Sequence, residues 1–114
     1  MSDCIFCKII SGEIPCAKVY EDDKIIAFND IHPMAPVHVV IIPRQHVSTL
    51  MDVEAADIGL AADLFAAAQK VARLKGVDKK GFRTVINCNA EGGQVVFHLH
   101  MHVLGGRKLA DELG

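Results

Sequence analysis

Val96-Phe97-His98-Leu99-His100-Met101-His102-Val103-Leu104, read with a period of two, divides into two faces. Phe97, Leu99, Met101 and Val103 fall on one, and His98, His100 and His102 on the other. The apolar face needs a partner layer, and that need selects the fold: a strand that is apolar on one side lies in a sheet covered by helix. The histidine face has no such explanation. A solvated strand face usually carries Lys, Thr, Ser or Glu, so three imidazoles in a row ask for a chemical reason.

Working outward, the loop Asn89-Ala90-Glu91-Gly92-Gly93-Gln94 separates this strand, residues 96–104, from another predicted over residues 82–87. Before that comes one long helix, predicted between residues 53 and 75. Ile58, Ala61, Phe65, Ala68 and Ala72 form a stripe at spacings of three and four. Asp52, Glu54 and Asp57 stand at its start and Lys70, Arg73 and Lys75 near its end, which suits the helix dipole, and Gly76 is a natural stop. Two strands over residues 18–21 and 25–28, with Asp22-Asp23 as the hairpin turn, precede the Pro-rich loop Ile31-His32-Pro33-Met34-Ala35-Pro36. A third strand over residues 37–42 stops at Pro43. A brief helix over residues 5–10 opens the chain, with Ser2 or Asp3 as its cap. The pattern predicts one α+β domain over residues 1–114: an antiparallel five-stranded sheet with one long and one short helix, both on one side of it.

The chain has 114 residues, 51% apolar and 23% charged, with no Trp, so its core must be aliphatic. Its net charge of −2 and scattered basic residues exclude a protein that grips nucleic acid, and favour a small-molecule substrate. Met1-Ser2-Asp3-Cys4 does not start like a signal peptide, and no apolar run approaches a membrane span. A cytoplasmic protein that makes no membrane contact is expected. Cys4, Cys7, Cys16 and Cys88 are then read as thiols or metal ligands rather than disulfides.

Three readings of the histidine face compete. The imidazoles could be ordinary polar positions. They could bind one metal, but at about 3.3 Å per residue the first and third stand roughly 13 Å apart, too far for a zinc about 2 Å from each nitrogen. Or one is a nucleophile. A neutral imidazole attacks phosphorus well near neutral pH when its other nitrogen is held by a hydrogen bond. Donors must then meet the charge on the phosphoryl oxygens, and Gly92-Gly93-Gln94 just upstream can supply backbone N–H groups to an anion.

Gly92-Gly93-Gln94-Val95-Val96-Phe97-His98-Leu99-His100-Met101-His102-Val103-Leu104-Gly105-Gly106 resembles the signature of the histidine-triad (HIT) superfamily, in particular its Hint branch. Phe28-Asn29-Asp30-Ile31, Pro36, His38 and Ile42-Pro43-Arg44-Gln45-His46 match the family's central segment in order and spacing, so the resemblance spans nearly the whole chain. His102 separates the chain from the uridylyltransferase-like branch, which has Gln there. The resemblance implies a HIT-like fold whose sheet extends across a homodimer. It also implies hydrolysis of purine nucleoside 5′-phosphoramidates of the AMP–amine type through a covalent nucleotidyl-histidine. By the same resemblance His100 is the nucleophile, His98 and His102 flank it, and His38 is a fourth buttressing histidine. Asp30 grips the ribose hydroxyls, for which two carboxylate oxygens are suited; the lesser reading is a turn-forming Asp before Ile31. Ile5, Phe6, Ile9, Phe28 and Ile31 correspond to the apolar slot for the base, though unaided each reads as core. Asn87, Gly93, Gln94 and Val95 correspond to phosphate or leaving-group positions. Val95 stands where the family often has Ser, and the tail over residues 108–114 lacks the Trp of some relatives.

Cys4-Ile5-Phe6-Cys7 has a spacing that lets two thiolates reach one ion, and alone it equally fits a redox pair or two core cysteines. Relatives with this pair resemble zinc binders that add the histidine of the Pro-x-x-His stretch, here His46, and the first triad histidine, here His98. The resemblance implies a structural zinc on Cys4, Cys7, His46 and His98, with no cofactor needed for catalysis. It gives His98 two incompatible jobs, metal ligand and phosphate contact. Cys16 and Cys88 are left as small packing residues. Two other functions compete with the phosphoramidase: a nucleotide-binding regulatory protein with vestigial activity, and a dinucleoside polyphosphate hydrolase of the Fhit-like branch.

Overall fold

A computed structural model describes residues 3–114. Five strands form one antiparallel sheet: β1 (Lys18–Glu21), β2 (Ile25–Asn29), β3 (Val37–Pro43), β4 (Phe82–Val85) and β5 (Met101–Gly105), in the order β1-β2-β3-β5-β4. The short helix α1 (Ile5–Ser11) and the long helix α2 (Gly59–Leu74) complete the predicted α+β architecture. Among the described residues no helix is long and apolar enough to cross a membrane.

β2 and β3 are apolar at consecutive positions because both of their faces are covered. Ile25, Ala27, Val39 and Ile41 pack with Leu99, Met101 and Val103 against α2. Ile26, Phe28, Val40 and Ile42 pack on the opposite face against Phe6 and Ile9 of α1. The two helices therefore sit on opposite faces, which corrects the expectation that both lie on one side. The signal was the unbroken apolar run, since a sheet with one wet face would alternate. Asp22 closes the β1–β2 hairpin by accepting from the backbone N–H groups of Lys24 (2.8 Å) and Ile25 (2.9 Å).

α2 departs from its sequence reading in two ways. It begins at Gly59, and residues 50–57 form two 3-10 turns, the first capped by a reciprocal Thr49–Asp52 box. Asp52 thus serves that earlier turn rather than the helix start. The buried face is Leu60, Leu64, Ala67, Ala68, Val71 and Ala72, whereas Ile58 and Phe65 of the expected stripe are 70% and 68% exposed. The helix carries two adjacent apolar lines, and the one through Leu60, Leu64, Ala67 and Val71 takes the core together with Ala68 and Ala72. At the other end of the chain Cys4 caps α1, its Sγ accepting from the Cys7 N–H. Asp3 is not the cap, and Ser2 lies outside the described residues.

Both strands around the histidines are shorter than predicted. β4 ends at Val85, and β5 begins only at Met101, so His98 and His100 precede the ladder. The register pairs Ile41 with Met101, which would set Pro43 opposite Leu99. Proline has no N–H to donate there. The chain leaves the sheet, and the Leu99 N–H donates instead to the Val47 carbonyl at 2.6 Å.

Candidate active site

β3 and β5 place His38 and His102 on the face that carries α1, since His102 pairs with Val40 and His38 lies two residues before it. The Met34 N–H donates to His38 Nδ1 at 3.0 Å, so His38 must carry its proton on Nε2. That Nε2–H donates to His102 Nδ1 at 2.8 Å, which leaves His102 protonated on Nε2. The Asp30 carboxylate stands 3.4 Å from His38 Nε2 and also accepts the His32 N–H at 2.8 Å, so the turn role is present too. Burial lowers the His38 pKa, with Asp30 opposing. Burial also pushes His102 down to about 4, helped by neighbouring His100 and His38 and opposed by Asp30. Both rings are therefore neutral at pH 7. Asp30, His38 and His102 are close enough to hold an ion, but the proton fixed on His38 Nε2 makes this a hydrogen-bond chain.

His100 is buried, and its Nδ1–H donates to the His98 carbonyl at 2.7 Å. This fixes the lone pair on Nε2, the state a nucleophile needs. The edge of the Phe6 ring closes on it, with ring centroids 5.1 Å apart.

His98 is fully buried and both of its nitrogens are committed. Nε2–H donates to the Pro43 carbonyl at 2.8 Å. Nδ1 lies 3.4 Å from Cys4 Sγ, 3.6 Å from Cys7 Sγ and 3.1 Å from His46 Nδ1, while Cys7 Sγ lies 3.3 Å from His46 Nδ1. All four donor atoms fall within 4.8 Å of one another. A four-coordinate zinc with bonds of about 2.3 Å to sulfur and about 2.0 Å to nitrogen would space its ligands roughly 3.3–3.8 Å apart. The donor set fits that ion, and the Pro43 bond supplies the orienting contact that a metal-bound imidazole normally has. Neither nitrogen of His98 remains for a phosphate.

The loop before β5 is held from within. Gln94 is buried; its Oε1 accepts the Asn89 N–H at 2.8 Å, and its Nε2 donates to the carbonyls of Ser48 (2.8 Å) and Val96 (3.1 Å). Asn87 Nδ2 donates to the Gly92 carbonyl at 2.6 Å. A Cβ on Gly92 would collide with the Cys88 carbonyl, and Gly93 has φ +82°. Val95 is 87% exposed. Of the apolar-slot residues, Phe6, Ile9 and Phe28 come together in one buried cluster, while Ile5 and Ile31 are exposed. Cys16 flanks that cluster and Cys88 adjoins Gly92, as suits small packing residues. Sequence reasoning missed the Met34 N–H and the Pro43 carbonyl. Backbone groups leave no trace in residue identity, and only the proline that ends β3 hinted at either.

The HIT domain family profile matches residues 11–109. The chain is 45% identical over 109 residues to the purine nucleoside phosphoramidase of Escherichia coli K12, covering 96% of this chain and 92% of that protein. It is 47% identical over 108 residues to an HIT-like protein of Synechococcus elongatus, covering 95% and 94% respectively. Its fold is similar to the crystal structure of a HIT family hydrolase from Legionella pneumophila (TM-score 0.95, 46% identity, 98% of this chain and 100% of that one). It is equally similar to a histidine triad protein from Clostridium difficile (TM-score 0.95, 46% identity, 98% and 97%). With the family's domain spanning most of its length and its three histidines set around one buried face, this chain belongs to the HIT family.

Proposed function

We propose that the protein hydrolyses purine nucleoside 5′-phosphoramidates of the AMP–amine type, with His100 as nucleophile. The observation that carries this is the 2.7 Å bond from His100 Nδ1–H to the His98 carbonyl, which leaves Nε2 as a free lone pair. In this reading Nε2 attacks phosphorus, the P–N bond breaks, and the amine departs after taking up a proton. Water then cleaves the nucleotidyl-histidine, restoring His100 and releasing the nucleoside monophosphate. His102, held neutral with its Nε2–H outward, offers a hydrogen bond to the phosphoryl oxygens rather than a charge. Asp30 takes the ribose hydroxyls on its remaining lone pairs, and Phe6, Ile9, Phe28, Ile5 and Ile31 bound the base. Asn87 and Gln94 act by shaping the Gly92-Gly93 loop, whose backbone meets the phosphate. The name of the 45%-identical relative supports the substrate class.

Cys4, Cys7, His46 and His98 would hold a structural zinc, which supplies a cross-link between α1 and the segment before β5. A reducing cytoplasm suits those thiols. A homodimer is supported by exposed Phe65 on α2 and Phe82 on the edge strand β4. These line one cavity of about 180 Å³ with Ala68, Gln69, Thr84 and Met101.

The test is amine release from a fluorogenic adenosine 5′-phosphoramidate by the native protein and His100→Ala, with a diadenosine polyphosphate as competitor substrate. Turnover of the phosphoramidate lost in the variant is the expected result. Preference for the polyphosphate would overturn the substrate class. AMP binding without turnover in either protein would favour a regulatory nucleotide binder.

A further inference from the structure

We propose that the Cys4/Cys7/His46/His98 cluster positions the nucleophile: an ion held there fixes the His98 peptide and, through its carbonyl, the tautomer and aim of His100. The proposal rests on His100 being the nucleophile of the phosphoramidase reading.

The argument starts from where β5 begins. Had the strand run from Val96, the His98 and His100 backbones would be held by ladder bonds on either side. β5 starts at Met101 instead, and β4 ends at Val85, opposite His102. The segment 98–100 therefore depends on other contacts. One is the Leu99 N–H to Val47 carbonyl bond (2.6 Å). Leu99 is also buried in the core on the α2 side, and Phe6 packs on His98 and His100. Further polar contacts go through the His98 side chain: Nε2–H to the Pro43 carbonyl (2.8 Å), and Nδ1 among two sulfurs and a second imidazole nitrogen at 3.1–3.6 Å.

Two imidazole nitrogens 3.1 Å apart, facing two sulfurs, are held as a set by a shared cation. Without one they need a proton to bridge them, and because His98 keeps its own on Nε2, that proton has to come from His46 or a thiol. The Pro43 bond then holds the ring at Nε2, and the position of its Nδ1 end is no longer set by an ion. The ring is fully buried and has little room to turn about its own side-chain bonds, so a displacement of it is passed in part to the backbone whose carbonyl takes the His100 proton. Once that carbonyl shifts, His100 Nδ1 loses its acceptor, the proton is no longer confined to Nδ1, and part of the population carries it on Nε2. Such molecules cannot attack. The nucleotide slot is affected less, since Phe6, Ile9 and Phe28 are held by packing on Ile26, Val40 and Ile42. The cluster should therefore act on turnover more than on nucleotide affinity.

The experiment uses the full chain with zinc or cobalt(II), stripped by a chelator and reloaded, the cobalt absorption band reporting occupancy. Three quantities are read in each state: the tautomer of His100 by long-range ¹⁵N–¹H correlation, the affinity for AMP, and kcat and KM for the phosphoramidate. In the loaded protein His100 is expected as a single Nδ1–H tautomer. In the stripped protein the tautomers mix, kcat falls about 10-fold to 100-fold, as for other orienting contacts around metal ligands, and AMP affinity stays within about threefold. Reloading restores all three. His46→Asn, which removes the exposed ligand, should give the same split without a chelator.

An unchanged His100 tautomer with kcat within twofold after demonstrated metal loss overturns the proposal. So does failure of the native protein to bind either ion. If stripping and His46→Asn abolish AMP binding together with turnover, the cluster only holds the fold, and the proposal again fails. A loaded protein with no turnover sinks the phosphoramidase reading alone, because the tautomer comparison still decides whether the cluster governs His100.

Discussion

Acid should unfold this protein chiefly through its buried imidazoles, and His102 allows the effect to be sized. Its ordinary pKa of 6.5 falls to about 4 in the folded chain, mainly by burial, with His100 and His38 adding and Asp30 opposing. The folded pKa is depressed, so the unfolded chain binds the proton more readily. The stabilising contribution is complete above about pH 6.5. It drains away as pH falls toward 4, with no further loss below that. A gap of about 2.5 pH units corresponds to about 3 kcal/mol at about 1.4 kcal/mol per unit, a large share of the stability of a small domain. The assay is urea unfolding from pH 7.5 to 4 for the native protein and His102→Gln. Glutamine cannot titrate, and its oxygen can still accept the His38 Nε2–H. The native protein should lose about 2–3 kcal/mol more than the variant over that window. Ligands leaving the Cys4 cluster in acid affect both proteins and cancel in the difference. Parallel stability curves would refute the reasoning, and would mean that His102 takes up its proton as readily in the folded chain as in the unfolded one.

Three further outcomes are expected. Gly92→Ala drives a Cβ into the Cys88 carbonyl and should destabilise by about 1–3 kcal/mol in urea unfolding, as overpacking does; an unchanged midpoint would mean that the loop can shift freely. Gln94→Leu leaves the Ser48 and Val96 carbonyls and the Asn89 N–H without their partner. It should cost about 2–4 kcal/mol and reduce turnover through loop disorder, with retained melting temperature as the contrary result. Phe65→Asp on the exposed line of α2 should convert a dimer to a monomer in sedimentation equilibrium, and a persistent dimer would move the interface elsewhere.

Much of this molecule could be read from its sequence. β1 was found to the residue, β2 and β3 to within one, and the histidine period picked out a face whose members do converge. What escaped the reading has identifiable causes. α2 carries two apolar lines, and a single chain cannot say which faces its own sheet and which faces outward. The late start of β5 is dictated by Pro43, on a partner strand far away in sequence. The proton positions on His38 and His100 depend on a Met34 N–H and a His98 carbonyl, backbone groups that residue identity does not mark. The apolar slot expected for a base rested on resemblance alone, since Phe6, Ile9 and Phe28 look like any core residues. The conflict over His98, by contrast, needed only atoms: both nitrogens are occupied inside the protein.

Helix α1 has seven residues, far fewer than an isolated helix needs to persist in water. Its order is borrowed from the sheet beneath it and from partners late in the chain: Cys4 meets His98 across 94 positions. The wall that presses Phe6 against His100 therefore depends on contacts between the two ends of the chain. Contacts of such long range carry the heaviest loop-closure cost. A chain in which α1 has not docked thus holds all three histidines but lacks the Phe6 wall beside them.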